Sequence, residues 1–134
     1  LYLDNSSISK AVISSEQIVV WHSPINTNKK PVSQGSYWLM YETDKGKPIS
    51  SIQEGRVVIA GPDIPGYGNL VMISHPNGFL SLYAHCKDIF VKKGDVISRG
   101  EIIANVGSSE ASSPMLRFQL RKNGSPVKTS GIKF

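Results

Sequence analysis

The sequence predicts an all-β fold, and three observations predict it. From Gln17 onward, short runs rich in Val, Ile, Leu, Tyr and Phe follow one another. Turn residues cut these runs at short intervals. No stretch keeps a helical period for more than two turns. Residues 1–16 are rich in Ser and have no clear period, so they read as a linker or N-terminal extension with one helical turn after Asp4. The domain proper is then 17–134. Strands are expected at 18–21, 56–60, 70–74, 80–85, 96–97, 102–106 and 115–121. Between them stand Gly61-Pro62, Pro65-Gly66, Pro76-Asn77-Gly78, Lys93-Gly94-Asp95, Arg99-Gly100 and Asn123-Gly124. The clearest hairpin is 70–85, where Pro76 sets φ and Asn77-Gly78 tolerate positive φ.

Bulk properties narrow the function. A chain of 134 residues, 40% hydrophobic and 19% charged, can bury one ordinary core. No apolar run approaches the ~20 residues of a membrane-spanning helix. The sequence starts without Met or a signal peptide, so it reads as part of a longer protein whose missing N-terminal part carries the address and any anchor. The net charge of +5 favours anionic partners. The lysines are scattered, with pairs only at Lys29-Lys30 and Lys92-Lys93, and no basic block interleaves with aromatics. That pattern argues against nucleic acid and leaves peptidoglycan and teichoic acids as candidates. A single cysteine, Cys86, excludes an internal disulfide.

The run Met115-Leu116-Arg117-Phe118-Gln119-Leu120-Arg121 has the alternation of a strand with two different faces. Leu116, Phe118 and Leu120 share the face suited to a core, and Met115, Arg117 and Gln119 share the other.

Several segments, in order, resemble the LytM (lysostaphin-type) cell-wall peptidases. They are Gly46-Lys47-Pro48-Ile49 with Gly55–Gly61, Gly66-Tyr67-Gly68-Asn69-Leu70-Val71, and His75-Pro76-Asn77-Gly78 leading to Tyr83-Ala84-His85. Val91 to Gly107, with its spaced glycines, and 116–127 complete the set. The resemblance spans about Trp21 to Val127 and implies a twisted antiparallel sheet with a groove. Active members hold zinc with a His and an Asp four residues apart and the second His of a His-x-His strand. The first His of that pair and the His of Tyr-Ala-His serve catalysis. By the resemblance, the ligand positions here are Ser36, Met40 and Arg117, and Met115 replaces a catalytic His. Only His85 survives, as a vestige. Arg117 has no lone pair to offer a cation, and one imidazole falls short of the three protein ligands of catalytic zinc. No metal or other cofactor is therefore expected, and no hydrolysis.

Other candidates read blandly. His75, before a turn, is expected to satisfy a backbone group rather than bind metal, and His22 has no visible partner. Cys86 neighbours His85, so the two point to opposite faces and form no nucleophile–base pair; Cys86 is expected to be a buried apolar residue. Tyr37, Trp38 and Tyr41 form an aromatic cluster, read as packing or as a partner surface. The segment 92–103 also resembles half of a lipoyl carrier, but the hairpin after it, 105–113, lacks the lysine that would carry the arm.

Within the LytM family, the branch that lost its zinc ligands contains the murein hydrolase activators. The resemblance therefore implies a non-catalytic regulator in the periplasm or cell envelope, anchored through the missing part. Its partner would be an N-acetylmuramoyl-L-alanine amidase, with peptidoglycan itself as a second ligand. The implied binding groove is Ser36, Met40, Tyr67, His85, Met115, Arg117 and Gln119. The alternatives are a peptidoglycan-binding or scaffolding domain and, further off, a zinc endopeptidase with unusual ligands.

Overall fold

The structure, a computed structural model, describes residues 21–134 throughout, and before them the strand segments β1 (Val12–Ser14) and β2 (Gln17–Ile18). These two pair antiparallel. The helical turn expected after Asp4 and the end of the strand expected at 18–21 lie outside the described residues, while Trp21 itself is in no strand.

The main strands follow in order: β3 (Val32–Gln34), β4 (Trp38–Glu42), β5 (Pro48–Ser50), β6 (Gly55–Gly61), β7 (Asn69–Ser74), β8 (Phe79–Ile89), β9 (Val96–Ile97), β10 (Ile102–Val106), β11 (Met115–Lys122) and β12 (Ser125–Pro126). They form one antiparallel sheet in the order β3-β4-β11-β8-β7-β6-β9. β10 joins through β8 and carries β5 on its far side. The β7–β8 hairpin turns as its residues dictate, with Asn77 at φ 65° and Gly78 at φ 80°.

Sequence alternation decides what lies on each side. Leu116, Phe118 and Leu120 of β11 enter the main core with Tyr83, Ile73 and Val57. Tyr83 and Phe118 meet edge to face, 5.4 Å between centroids. On the opposite face, Leu70, Leu82 and Ala84 form a smaller cluster under half-buried Trp38, Ile59, Ile64, Tyr67, Met72 and Leu80. The aromatic trio before Gly46 is not a cluster. Trp38 and Tyr41 are three apart on β4, so Trp38 takes the second face while Tyr41 is 5% exposed in the main core. Tyr37 lies in the preceding turn, 40% exposed.

One polar chain crosses the main core. His75 Nδ1 bonds the Glu54 carbonyl at 2.7 Å, and Nε2 meets Ser81 Oγ at 2.7 Å. Ser81 Oγ lies 2.8 Å from Tyr83 Oη, which also accepts the Ile52 N–H at 3.1 Å. His75 thus satisfies a backbone group, as its position before the turn suggests. Burial lowers its pKa below 6.5, against the opposing effect of the Glu54 carbonyl, and pushes the Tyr83 hydroxyl up to about 12.

Two predictions follow from these contacts. Phe118→Ala should cost roughly 3–5 kcal/mol in denaturant unfolding as a buried aromatic truncation, and Arg117→Ala, on the other face, much less. The His75 pKa is depressed in the folded state, so between 6.5 and that lower value the unfolded chain binds more protons. Stability is therefore complete above pH 6.5 and falls as pH drops through this window. His75→Asn should flatten part of that slope in melts across a pH series.

Candidate functional site

The second face of β11 meets the region where β8 changes partner. Through Ala84, β8 pairs with β11, and Arg117 lies opposite Ala84. From Cys86, β8 pairs with β10 instead. Between them, the β7–β8 ladder slips out of even register and His85 adopts φ 67°, a left-handed conformation that L-residues seldom take. The bulge sends Cys86 into the main core, fully buried with its thiol pushed up to about 12, and leaves His85 on the groove side. Cys86 is thus the inert apolar residue expected.

Hydrogen bonds hold this unusual backbone. The His85 N–H donates to the Tyr67 carbonyl at 2.9 Å. His85 Nδ1 lies 2.7 Å from the Ser109 carbonyl, which can only accept, so Nδ1 carries the proton and Nε2 a lone pair. Ser109 ties three segments together: its Oγ donates to the Cys86 carbonyl at 2.8 Å and accepts the Asn69 N–H at 3.0 Å. Gly68, at φ 61°, has no Cβ because one would collide with the Ser109 carbonyl. Glu110 accepts the Gly66 N–H at 3.1 Å. Burial lowers the His85 pKa below 6.5, the Ser109 bond opposes this, and the Arg117 charge lowers it further while Glu110 raises it. The ring is neutral at pH 7.

Arg117 dominates the site. It is paired with Met40 of β4, and its guanidinium lies over the Trp38 ring, 4.5 Å from the centroid. Trp38 stacks in turn on Tyr67, 5.6 Å between centroids and 29° between planes. A guanidinium over an indole gains about 0.5–2 kcal/mol, and its plane is fixed by the stack. Arg117 Nε is buried and meets no hydrogen-bond partner among the described residues. The side chain as a whole is only half-buried, so the anchored cation suits a carboxylate or phosphate oxygen at its open side.

The structure thus brings Met40, Tyr67, His85 and Arg117 together and adds Trp38 and Ser109. Four sequence expectations need correction. His85 is only 2% exposed, held under the Ser109 carbonyl, so it stands beneath the groove surface rather than lining it. Gln119 shares the face of Arg117 but is only 3% exposed, with Oε1 accepting Arg121 Nε at 2.7 Å, so it supports the surface rather than lining it. Ser36 sits exposed in the β3–β4 turn, its carbonyl taken by the Thr129 N–H at 2.9 Å. Met115 is 8% exposed at the start of β11, bridged to Gly107. Ser109 was missed because its partners are 23 to 40 residues away in sequence. Among the described residues, no three His, Cys, Asp or Glu side chains converge as metal ligands do. The donors facing this site, one imidazole nitrogen beside a fixed guanidinium, do not fit a zinc ion.

The pattern of peptidase family M23 matches residues 34–129. This chain belongs to peptidase family M23. Among curated relatives, Lipoprotein NlpD of Yersinia enterocolitica is 40% identical over 83 residues, 62% of this chain and 86% of that one. Murein hydrolase activator NlpD of Escherichia coli strain K12 is 41% identical over 83 residues, again 62% of this chain but 22% of its own length. The match thus spans about a fifth of that activator. Among solved structures, a putative peptidase M23 from Pseudomonas aeruginosa superposes with a TM-score of 0.75 at 26% identity, covering 84% of this chain and 49% of that one. This M23 domain has the LytM-type fold that the ordered glycine and histidine segments imply, and its curated relatives include named activators of murein hydrolases.

The Ser109 tie gives a direct test. Ser109→Ala leaves the Asn69 N–H and the Cys86 carbonyl without their hydroxyl partner. A loss of about 1–3 kcal/mol is expected, read by denaturant unfolding, with amide-exchange protection falling at His85 and Asn69 before the rest of β8.

Proposed function

We propose that this chain is a non-catalytic activator of a peptidoglycan hydrolase, specifically an N-acetylmuramoyl-L-alanine amidase, acting in the cell envelope during wall remodelling and division. One observation carries the reading. At the position where the family resemblance expects a zinc ligand stands Arg117, a half-buried cation fixed on Trp38. Such a residue cannot polarise a peptide carbonyl or acidify water as zinc does. It can grip an anionic group of another molecule. Relatives named murein hydrolase activators, and a relative named as a lipoprotein, support both the activating role and the envelope setting.

The mechanism is a population shift. An activator that binds the open form of its hydrolase better than a closed form raises the open fraction by its preference for that form and no further. Arg117 supplies the charged anchor, Tyr67 and Trp38 the rigid aromatic backing, and Met40 an adaptable apolar contact.

The test is hydrolysis of dye-labelled sacculi by the cognate amidase with and without this chain. Wild type should release no dye alone and should stimulate the amidase. Arg117→Glu should abolish stimulation while keeping the wild-type circular dichroism spectrum. Dye release by the chain alone, or one tightly held zinc per chain after dialysis, would overturn the reading.

A further inference from the structure

The register of the sheet places the Arg117 site at one edge of a wider surface. Residues directly opposite across strands share a face, so the second face divides into three rows. The first is Met40–Arg117–Ala84, across β4, β11 and β8. The second is Gln119–Leu82–Met72–Ile59, across β11, β8, β7 and β6, with Trp38 beside Gln119 on β4. The third is Arg121–Leu80–Ser74–Arg56–Val96, from β11 to the edge strand β9. An apolar middle row thus runs between arginines on either side.

The composition of this band differs from an ordinary solvent face. Leu82 is buried at its floor, while Trp38, Ile59, Met72 and Leu80 are each only half-covered; Tyr67 and the Arg117 guanidinium lie against the Trp38 ring, and Ile64 packs on the same cluster. Val96, at the far end, is 71% exposed. The flanking arginines make bonds that leave their charge in place: Arg56 Nη1 donates to the Gly94 carbonyl at 2.9 Å, and Arg121 Nε to the Gln119 side chain. Arg56, Ser74 and Val96 also line a cleft of about 430 Å³, with Arg99 adding a second cation and Glu54 one carboxylate, which gives that end of the band depth. An apolar patch rimmed by polar groups, here mostly arginines, marks an interaction surface.

We infer that this band docks one acidic amphipathic segment of a partner protein, its apolar stripe on Trp38, Leu80, Met72 and Ile59 and its carboxylates on Arg117 to one side and Arg121 and Arg56 to the other. Dimensions support a single helix. Rows one and three are four residues apart along β11, about 13 Å at the usual strand rise, close to the ~10–12 Å diameter of a helix with side chains. From β4 to β6 the middle row crosses four strand spacings, about 19 Å, the length of about three to four helical turns. This inference rests on the reading that the Arg117 face receives the hydrolase and names the chemistry of the segment it receives.

The experiment uses two synthetic peptides of about four helical turns, each with a leucine stripe. One is flanked by glutamates, the other by lysines. Each is titrated into the isotopically labelled chain and followed by amide NMR shifts. The glutamate peptide should bind, shifting Leu80, Met72 and Ile59 together with Arg117. Its affinity should fall about tenfold or more in the Arg56→Glu/Arg121→Glu double variant, and also in Met72→Glu, whose fold is checked by its thermal melt. The double variant removes no buried apolar side chain, so it remains informative if Met72→Glu unfolds. Equal binding of the lysine peptide, or shifts confined to a second cleft lined by His22, Ile25, Lys47 and Pro48, overturns the inference. The two readings separate in the sacculus assay. Full stimulation by Arg56→Glu/Arg121→Glu alongside none by Arg117→Glu would overturn the wider band and leave the activator reading standing. Absence of stimulation by wild type would remove the activator reading while the peptide titration still decides the band.

Discussion

Strand β8 cannot serve β11 and β10 along one edge without a break, and the bulge at His85 is that break. Before it, Leu80, Leu82 and Ala84 face the second side while Ser81 and Tyr83 face the main core. A strictly alternating strand would then turn His85 into the core and Cys86 away from it. The left-handed residue resets the alternation, so a buried thiol continues the core and an imidazole stays on the groove side. A left-handed, non-glycine backbone of this kind costs on the order of 1–3 kcal/mol. The Tyr67 carbonyl, the Ser109 carbonyl and the Ser109 hydroxyl offset it by holding the flanking loops in place. The groove wall is therefore a consequence of the partner exchange and is built without reference to a metal.

That independence explains how the fold tolerates Arg117. The Leu116–Phe118–Leu120 side of β11 fixes the strand through the main core, so the opposite side is free to change chemistry. Arg117 then needs a desolvated but polarisable neighbour, and Trp38, two residues before Met40 on the adjacent strand, provides its face. Tyr67 backs the indole from the loop that Gly68 and Ser109 hold down. The same bulge that positions His85 thus also positions the aromatic support of the arginine. The Arg117 charge in turn helps keep His85 neutral, so the site carries one fixed positive charge rather than two.

Much of this was legible in the sequence, where the signal is local. The alternation in 115–121 separates the two faces of β11 correctly, because one residue of slip would have buried the arginine. Pro76-Asn77-Gly78 announces its turn through positive-φ chemistry. The strands at 32–34, 38–42 and 48–50 gave weaker signals: two are only three residues long, and β3 is exposed at all positions, so no periodic pattern marks it. The trio Tyr37, Trp38 and Tyr41 read as a cluster only because its strand was not recognised; period two splits it at once. Gln119 was placed on the right face, yet its burial depends on Arg121 folding back over it, a contact that spacing alone does not reveal. Ser109 and Gly68 matter only through contacts with sequence-distant segments, and no single-sequence pattern reports those.

The charge of the second face follows from the same geometry. Arg117 and Arg121 both project from β11 on the side away from the main core, four residues apart, with Gln119 between them. The side chain of Gln119 takes one Arg121 donor and spaces the two cations instead of neutralising either. Leu80 and Leu82 of β8 stand opposite Arg121 and Gln119, so each polar position on β11 borders an apolar one on β8. A solvent-facing sheet gains nothing from half-covered Leu, Met and Ile in adjacent strands, because each leaves apolar area in water at about 25 cal/mol per Å². Covering that area is favourable for any partner that also answers the arginines, whereas a purely apolar partner would bury their charge unpaired at a cost of several kcal/mol per ion. A face so built would discriminate by charge while drawing its affinity from apolar area.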